Sequence, residues 1–402
     1  MRFLTAGESH GRALAVVIEG FPALVKVTRE EIDRELSRRQ KGYGRGGRMK
    51  IERDRVEIIS GIRHGKTLGS PISFLISNHD WENWVGVMRP FDKNGKIKIA
   101  LKGDDRLDRV GVKVTAPRPG HADLAGAWKY GFTDLRNVLE RASARETAAR
   151  VGAGAFARLF LSEFGISIGS HVLQIGRVES HDLRALSDEE QKKVEDSPVR
   201  CLDGRVAGEM MKAVDEAKEE GESLGGVFLV YAKGVPPGLG SYAHWDRRLD
   251  GRLAQAVMSV PAVKGVETGI GFSFASRDGS QAHDPIYFRP EQGFYRSSNN
   301  AGGLEGGMSN GEPVLIRAAM KPIPTLYRGL PSVDLKDRRA VRAAVERSDV
   351  TAVPAAGVVA EAMVAWVLAE VFMEKFGQDS FPEIKRAWKS YLEEIEWQAP
   401  KI

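Results

Sequence analysis

The sequence predicts an α+β fold, with mostly antiparallel strands packed on a layer of helices, in a single domain covering residues 1–402. Three observations carry this expectation. Segments with strand character follow one another or return through turns, so the regular strand–helix–strand alternation of a doubly wound sheet is missing. Two runs, one rich in alanine and leucine over residues 135–164 and one from Val350 to Phe372, are apolar enough for buried helices. No internal repeat and no low-complexity linker divides the chain.

In order, Phe3 to Thr5 and Ala13 to Glu19 read as strands on either side of a polar turn. Thr28 and Glu31 form a capping box that opens a helix to about Arg39. Arg38 to Arg48 is too rich in glycine for regular structure beyond that point. Met49 to Ile51, Val56 to Ser60 and Ile72 to Ser77 read as strands, and Asn94-Gly95 as a hairpin turn. Helices are expected at about Ala122 to Tyr130 and, unbroken, at Leu135 to Phe164, with a strand from Ile166 to Val178. Ser187 to Asp196 has no apolar stripe and reads as an exposed helix or loop. A helix at Val206 to Glu220 and a strand at Gly226 to Lys233 precede the stop at Pro236-Pro237-Gly238. Asp246 to Val260 reads as helix, and Val263 to Ala275 as a strand broken by glycine. The polar run Ser297 to Gly311 leads to a strand at Pro313 to Met320, ended by Lys321 to Thr325. Pro354 starts the long apolar helix, and residues 373–402 form a helical extension.

Composition narrows the function. With 42% hydrophobic and 28% charged residues the chain is globular, and a formal charge of +5 does not by itself imply nucleic-acid binding. The lone Cys201 allows neither an internal disulfide nor a thiolate metal cage, which fits a reducing cytoplasm. Glu361 and Glu370 interrupt the apolar run, so it reads as a core helix and not a membrane span. No secretory signal is expected, because Met1 to Thr5 runs directly into polar residues. The histidines lack metal-helix spacing and carboxylates are not clustered with them, so no metal site is expected.

Several short motifs mislead. Gly7-Glu8-Ser9-His10-Gly11 matches a hydrolase nucleophile elbow, but too little chain precedes it to supply the oxyanion hole. Gly42 to Gly47 satisfies a dinucleotide fingerprint in the wrong order, after a helix and before a strand. Gly61 to Thr67 is one residue short of a phosphate loop.

What remains is a set of separated loops offering one kind of chemistry. Arg118, Lys129, Arg136, Arg141, Arg145 and Arg150 crowd one region, and arginine binds phosphate or carboxylate through two parallel hydrogen bonds. Any one of these arginines alone is more simply a salt-bridged surface group. Together with Ser9-His10, Arg39 to Arg48, His121, Gly302 to Asn310, Lys321 to Thr325, and Arg347 with Asp349, they suit a small polyanion in proton-coupled chemistry.

On five motifs in order, the chain resembles the chorismate synthase family. They are Gly7 to Gly11, Arg118 to Asp123, Arg141 to Thr147, Gly302 to Gly307, and Arg347-Ser348-Asp349, with the match running from Met1 to about Phe372. The resemblance implies a β-α-β sandwich assembled as a homotetramer. It implies conversion of 5-enolpyruvylshikimate 3-phosphate to chorismate and phosphate by an anti 1,4-elimination, with reduced FMN required but not consumed. It makes His10 and His121 proton donors, one toward the departing phosphate and one toward the reduced flavin, and Asp349 the base that works through the flavin. By its residues alone Ser348-Asp349 is a cap or turn ahead of the Pro354 helix. Ser9, Arg39, Arg45, Arg48, Arg118, Arg145 and Arg347 become substrate contacts. Flavin contacts fall on Arg141, Ala142, Ser143, Gln255, Ala256, Gly306, Lys321, Pro322, Ile323, Pro324, Thr325 and Arg347, and Arg39 and Arg45 match positions also associated with NADP. No flavin-reductase domain is expected, so an external reductase, with NADPH as the source of electrons, would supply reduced flavin. An NADPH-dependent flavin oxidoreductase and an RNA-binding protein are the competing readings. The first would use the same flavin site for hydride transfer; the second lacks aromatic residues interleaved with the arginines.

Overall fold

A computed structural model describes residues 1–46, 53–91, 113–290, 293–343 and 349–395. The expected strand at Met49 to Ile51 and the Asn94-Gly95 turn lie outside the described residues.

A four-stranded sheet is built from β1 (Arg2–Ala6), β2 (Ala13–Glu19), β3 (Val56–Ser60) and β4 (Ile72–Ser77), in the order β1-β2-β4-β3 and antiparallel throughout. Leu14, Val16 and Ile18 bury one face of it with Ile72, Phe74 and Ile76, the alternation of a sheet covered on one side. A five-stranded antiparallel sheet comprises β5 (Ser167–Ile175), β6 (Val178–Glu179), β7 (Gly226–Lys233), β8 (Val263–Thr268) and β9 (Val314–Met320), in the order β8-β9-β7-β5-β6. Among the helices are α1 (Arg29–Gln40), α2 (Asp123–Tyr130), α3 (Arg136–Leu139), α4 (Thr147–Ser162), α5 (Asp188–Asp196), α6 (Gly204–Glu219), α7 (Leu249–Met258), α8 (Val353–Phe376) and α9 (Phe381–Ile395).

Helices α4 and α8 lie between the sheets, and glycine lets them approach. A Cβ on Gly152 of α4 would stand 2.8 Å from the Phe74 ring of the first sheet, and one on Gly154 would stand 2.4 Å from Cβ of Ala362 in α8. On the other side a Cβ on Gly357 of α8 would meet Ser170 Oγ of β5 at 2.9 Å. The result is sheet, helix layer, sheet, with one core cluster continuous across all three. Glu361 is fully buried in α8, tolerated because Arg38, Arg158 and Arg200 reach it at 2.8, 2.6 and 3.0 Å. Arg38 thereby ties the end of α1 to the middle layer.

The structure corrects the expected helix over residues 135–164. It is split into α3, a short 3-10 turn at Ala144–Glu146, and α4, because Ser143 takes an extended conformation and caps the Arg145 N–H. The segment Ser187 to Asp196 resolves as a helix with its own capping box, anchored by buried Val194. Val263 to Ala275 is strand only to Thr268, and a 3-10 helix (Gly271–Ser276) follows. Asp246 to Val260 likewise begins as a 3-10 turn (Trp245–Arg247) before α7. Four antiparallel hairpins among the described residues went unread in the sequence: Ile62–Arg63 with Lys66–Thr67, Ile286–Arg289 with Gly293–Arg296, Leu304–Glu305 with Met308–Ser309, and Pro331–Val333 with Ala340–Arg342.

Candidate active site

The turn between β1 and β2 carries Ser9 and His10. Gly7 makes this turn possible at φ +104°, where a Cβ would stand 2.4 Å from the Ala13 carbonyl. The Asn78 side-chain amide donates to the carbonyls of Glu8 (3.3 Å) and Gly11 (2.5 Å), and its oxygen accepts Arg145 Nε at 2.9 Å. The break between α3 and α4 meets the turn from the other side. Arg141 donates to the Gly7 and Thr5 carbonyls at 3.0 and 2.9 Å, Ser143 to the Ser9 hydroxyl at 3.2 Å, and the Ser9 N–H to the Glu140 carbonyl at 2.9 Å. His10 Nδ1 lies 2.9 and 3.0 Å from the two Glu140 carboxylate oxygens, and its ring stacks on Trp84 with centroids 3.8 Å apart. Burial works to raise the Glu140 carboxyl, but the hydrogen bonds and charge of His10, with Arg136 behind, hold it below the usual carboxylate range.

His121 sits in a second cluster at the start of α2. Asp123 takes His121 Nδ1 at 2.5 Å, Arg118 Nε at 2.9 Å and the Arg118 backbone N–H at 3.0 Å. Burial pushes the Asp123 carboxyl up, and the bonds from His121 and Arg118 outweigh it, so the group stays well below its ordinary range and ionised. Arg118 also donates to the Thr325 hydroxyl at 3.3 Å, and Lys321 Nζ donates to the Gly120 carbonyl. The Lys321–Thr325 segment is therefore clamped onto the 118–123 loop. In a third cluster, the Asp349 carboxylate stands 3.0 Å from Arg45 Nε as an ion pair and accepts the Gly46 N–H at 2.6 Å.

A cleft of about 560 Å³ opens beside the first cluster, within the usual range of small-molecule sites of roughly 300–1,000 Å³. Arg141, Ala142 and Ser143 line it with Arg150, Glu146, Phe3, Leu4 and Met363, so apolar side chains stand beside two guanidiniums and a carboxylate that pairs with Arg150 at 2.8 Å. Such a lining suits a planar aromatic ring system that carries an anion. Arg150 bonds Ser259 just beyond α7, the helix that bears Gln255 and Ala256.

The family model described as Chorismate synthase matches residues 1–373. Among curated relatives, the chorismate synthase of Alkaliphilus metalliredigens is 56% identical over 390 residues, covering 97% of this chain and 99% of the relative. That of Moorella thermoacetica is 56% identical over 398 residues, covering 98% and 100%. The chain belongs to the chorismate synthase family. A solved structure described as "Crystal Structure of Chorismate Synthase" superposes with a TM-score of 0.77 at 45% identity, covering 98% of each chain. The expected α+β architecture is that of chorismate synthase.

Residues expected at a chorismate synthase site fall into groups. Ser9, His10, Arg39, Arg141, Ala142, Ser143 and Arg145 are brought together, and Arg118, His121 and Lys321 to Thr325 form a second group. Arg39 and Arg145 are buried, and both reach Asp54, at 3.6 and 2.7 Å; Arg39 also holds Thr147 and the Ala144 carbonyl. Arg45 and Asp349 make the third group. Gly306 stands exposed at the tip of a hairpin, and Gln255 is exposed on α7. Neither His10, His121 nor Asp349 lines the 560 Å³ cleft. Arg48 and Arg347 lie outside the described residues. Sequence reasoning missed Glu140, Trp84, Asp54 and Asn78. Glu140 directly precedes the Arg141 motif, but an unbroken helix there would have left it an ordinary surface carboxylate.

Proposed function

We propose that the chain is a chorismate synthase, a carbon–oxygen lyase that turns 5-enolpyruvylshikimate 3-phosphate into chorismate and inorganic phosphate. The ring loses a proton and the C–O bond to phosphate breaks in a 1,4 relation, leaving a second ring double bond and no net redox change. The observation that carries this reading is that His10 and His121 each hold a buried, ionised carboxylate on Nδ1, amid arginines suited to a polyanion. Arg118, and Arg45 if it leaves Asp349, answer the charge of the phosphate and carboxylates, and the growing charge on the departing phosphate is what such groups stabilise. Asp349 is the carboxylate available to receive the ring proton.

Reduced FMN, when bound, supplies an electron-rich ring that promotes departure of phosphate. Arg141, Ala142 and Ser143, with the end of α7, would hold it at the cleft, and Lys321 to Thr325 at the Arg118 side. Reduced flavin comes from a separate reductase, with NADPH as its electron source, and the enzyme works in the cytoplasm. Exposed Ile286, Tyr287, Phe288 and Phe294 on the hairpin support a homotetramer, because a lone two-stranded hairpin needs a packing partner. Light scattering tests the assembly, and a monomer at micromolar concentration would overturn it.

The decisive assay is anaerobic, with pre-reduced FMN and no NADPH. Equal yields of chorismate and phosphate are expected. Flavin reduction by NADPH without chorismate would instead make the protein a flavin oxidoreductase.

A further inference from the structure

Glu140 has no task in the reaction as described, yet it is 1% exposed and grips His10 at two points. We infer that Glu140 is the positioning residue for His10, fixing the imidazole so that Nε2 is the atom through which the proton passes. This rests on the reading of His10 as a proton donor.

Both carboxylate oxygens lie within 3.0 Å of Nδ1, and one of them also accepts the His10 backbone N–H at 2.9 Å. The ring and the main chain of one residue are thus tied to one side chain. An ionised carboxylate can only accept, so Nδ1 must carry the proton in this bond and the tautomer is set. The plane of the ring is set separately. Trp84 stacks on it at 23°, and the indole is itself anchored by its N–H to Asp80 at 2.9 Å and covered by the Arg136 guanidinium at 5.6 Å. Among the described residues, the charged groups packed against the pair are Arg136, 3.5 Å from Glu140, and Asp80 across Trp84. Arg136 is the more distant partner, so His10 and not the arginine takes the closest bonds of this buried carboxylate. A carboxylate behind an imidazole holds its orientation and favours the imidazolium, which is the form that donates.

The test is Glu140→Gln, which keeps the shape and removes the charge. Turnover should fall by roughly tenfold to a hundredfold with substrate KM little changed, as when an interaction specific to the proton transfer is lost. A double variant His10→Ala/Glu140→Gln should be no slower than His10→Ala alone; additive losses would show Glu140 acting elsewhere and overturn the inference. Nitrogen NMR of the histidine-labelled wild-type protein needs no variant. It should find the His10 proton on Nδ1 when the ring is neutral, and a proton on Nε2 instead would also overturn it. An impaired His10→Ala beside an unimpaired Glu140→Gln sinks this inference alone, whereas full turnover in His10→Ala sinks the reading of His10 beneath it.

Discussion

At His121 the carboxylate partner is two residues away in the same loop, and the arginine that completes the cluster is three residues back. At His10 the carboxylate comes from residue 140, the stacking ring from Trp84, and the turn is pinned by Asn78. The bonds are alike, but the division of labour differs. Asp123 is shared between the imidazole and the Arg118 guanidinium, so it couples the proposed proton donor to a group suited to the proposed substrate's charge. Glu140 gives both oxygens to His10 and leaves Arg136 at 3.5 Å. A shared carboxylate should influence binding and chemistry together, and a dedicated one chemistry alone.

The broadest test removes each imidazole. His10→Ala and His121→Ala should each lower turnover by about a hundredfold or more, the scale of lost acid–base catalysis, with flavin still bound. Steady-state kinetics with reduced FMN check this, and wild-type turnover in either variant would take that histidine out of the chemistry. Asp123→Asn tells the two clusters apart. Because Arg118 loses its partner along with His121, turnover should fall about tenfold and KM rise by a similar factor, in contrast to Glu140→Gln. If KM stays at the wild-type value, Arg118 is held by something other than Asp123 and the contrast between the clusters fails.

Trp84 gives a smaller effect. Trp84→Leu removes the stack but leaves both Glu140 bonds, so turnover should drop only about threefold, in line with the modest worth of one aromatic contact. A loss as deep as that of His10→Ala would mean that the indole, and not the carboxylate, sets the ring.

The same contrast explains what the sequence made legible. Arg118, His121 and Asp123 fall within six consecutive residues, so a local motif contains almost the whole cluster. The capping box at Thr28, the alternation in β2 and β4 and the apolar run of α8 are likewise short-range patterns, and those elements appear where expected. Glu140 meets His10 only because the chain leaves helical geometry between α3 and α4. Nothing in the alanine-rich spacing of residues 135–164 signals that break; it answers the demands of Gly7, Ser9 and His10 on the neighbouring turn. Arg39 and Arg145 show the other side of the same limit. Their charge was evident, but their burial against Asp54, Thr147 and Asn78 depends on partners scattered along the chain.

His171 provides the contrast outside both clusters, and no change in turnover is expected when it is replaced. It lies buried in β5, with Nε2 unpartnered among the described residues and its ring near Tyr231. Burial pushes its pKa down to about 4, against weaker support from Asp182 and the Arg184 backbone. Above its ordinary value of about 6.5 the ring is neutral in both folded and unfolded chains and contributes nothing to pH dependence. As pH falls below that, the unfolded chain takes up a proton that the native protein refuses, so stability declines, by up to about 3 kcal/mol near pH 4, and then levels off. His171→Leu should abolish that part of the decline while leaving turnover as in the wild type. Urea unfolding midpoints measured from pH 7 to pH 4 would show it, and parallel curves for the two proteins would mean that His171 is protonated in the fold after all, with a carboxylate such as Asp182 closing on it as Glu140 does on His10.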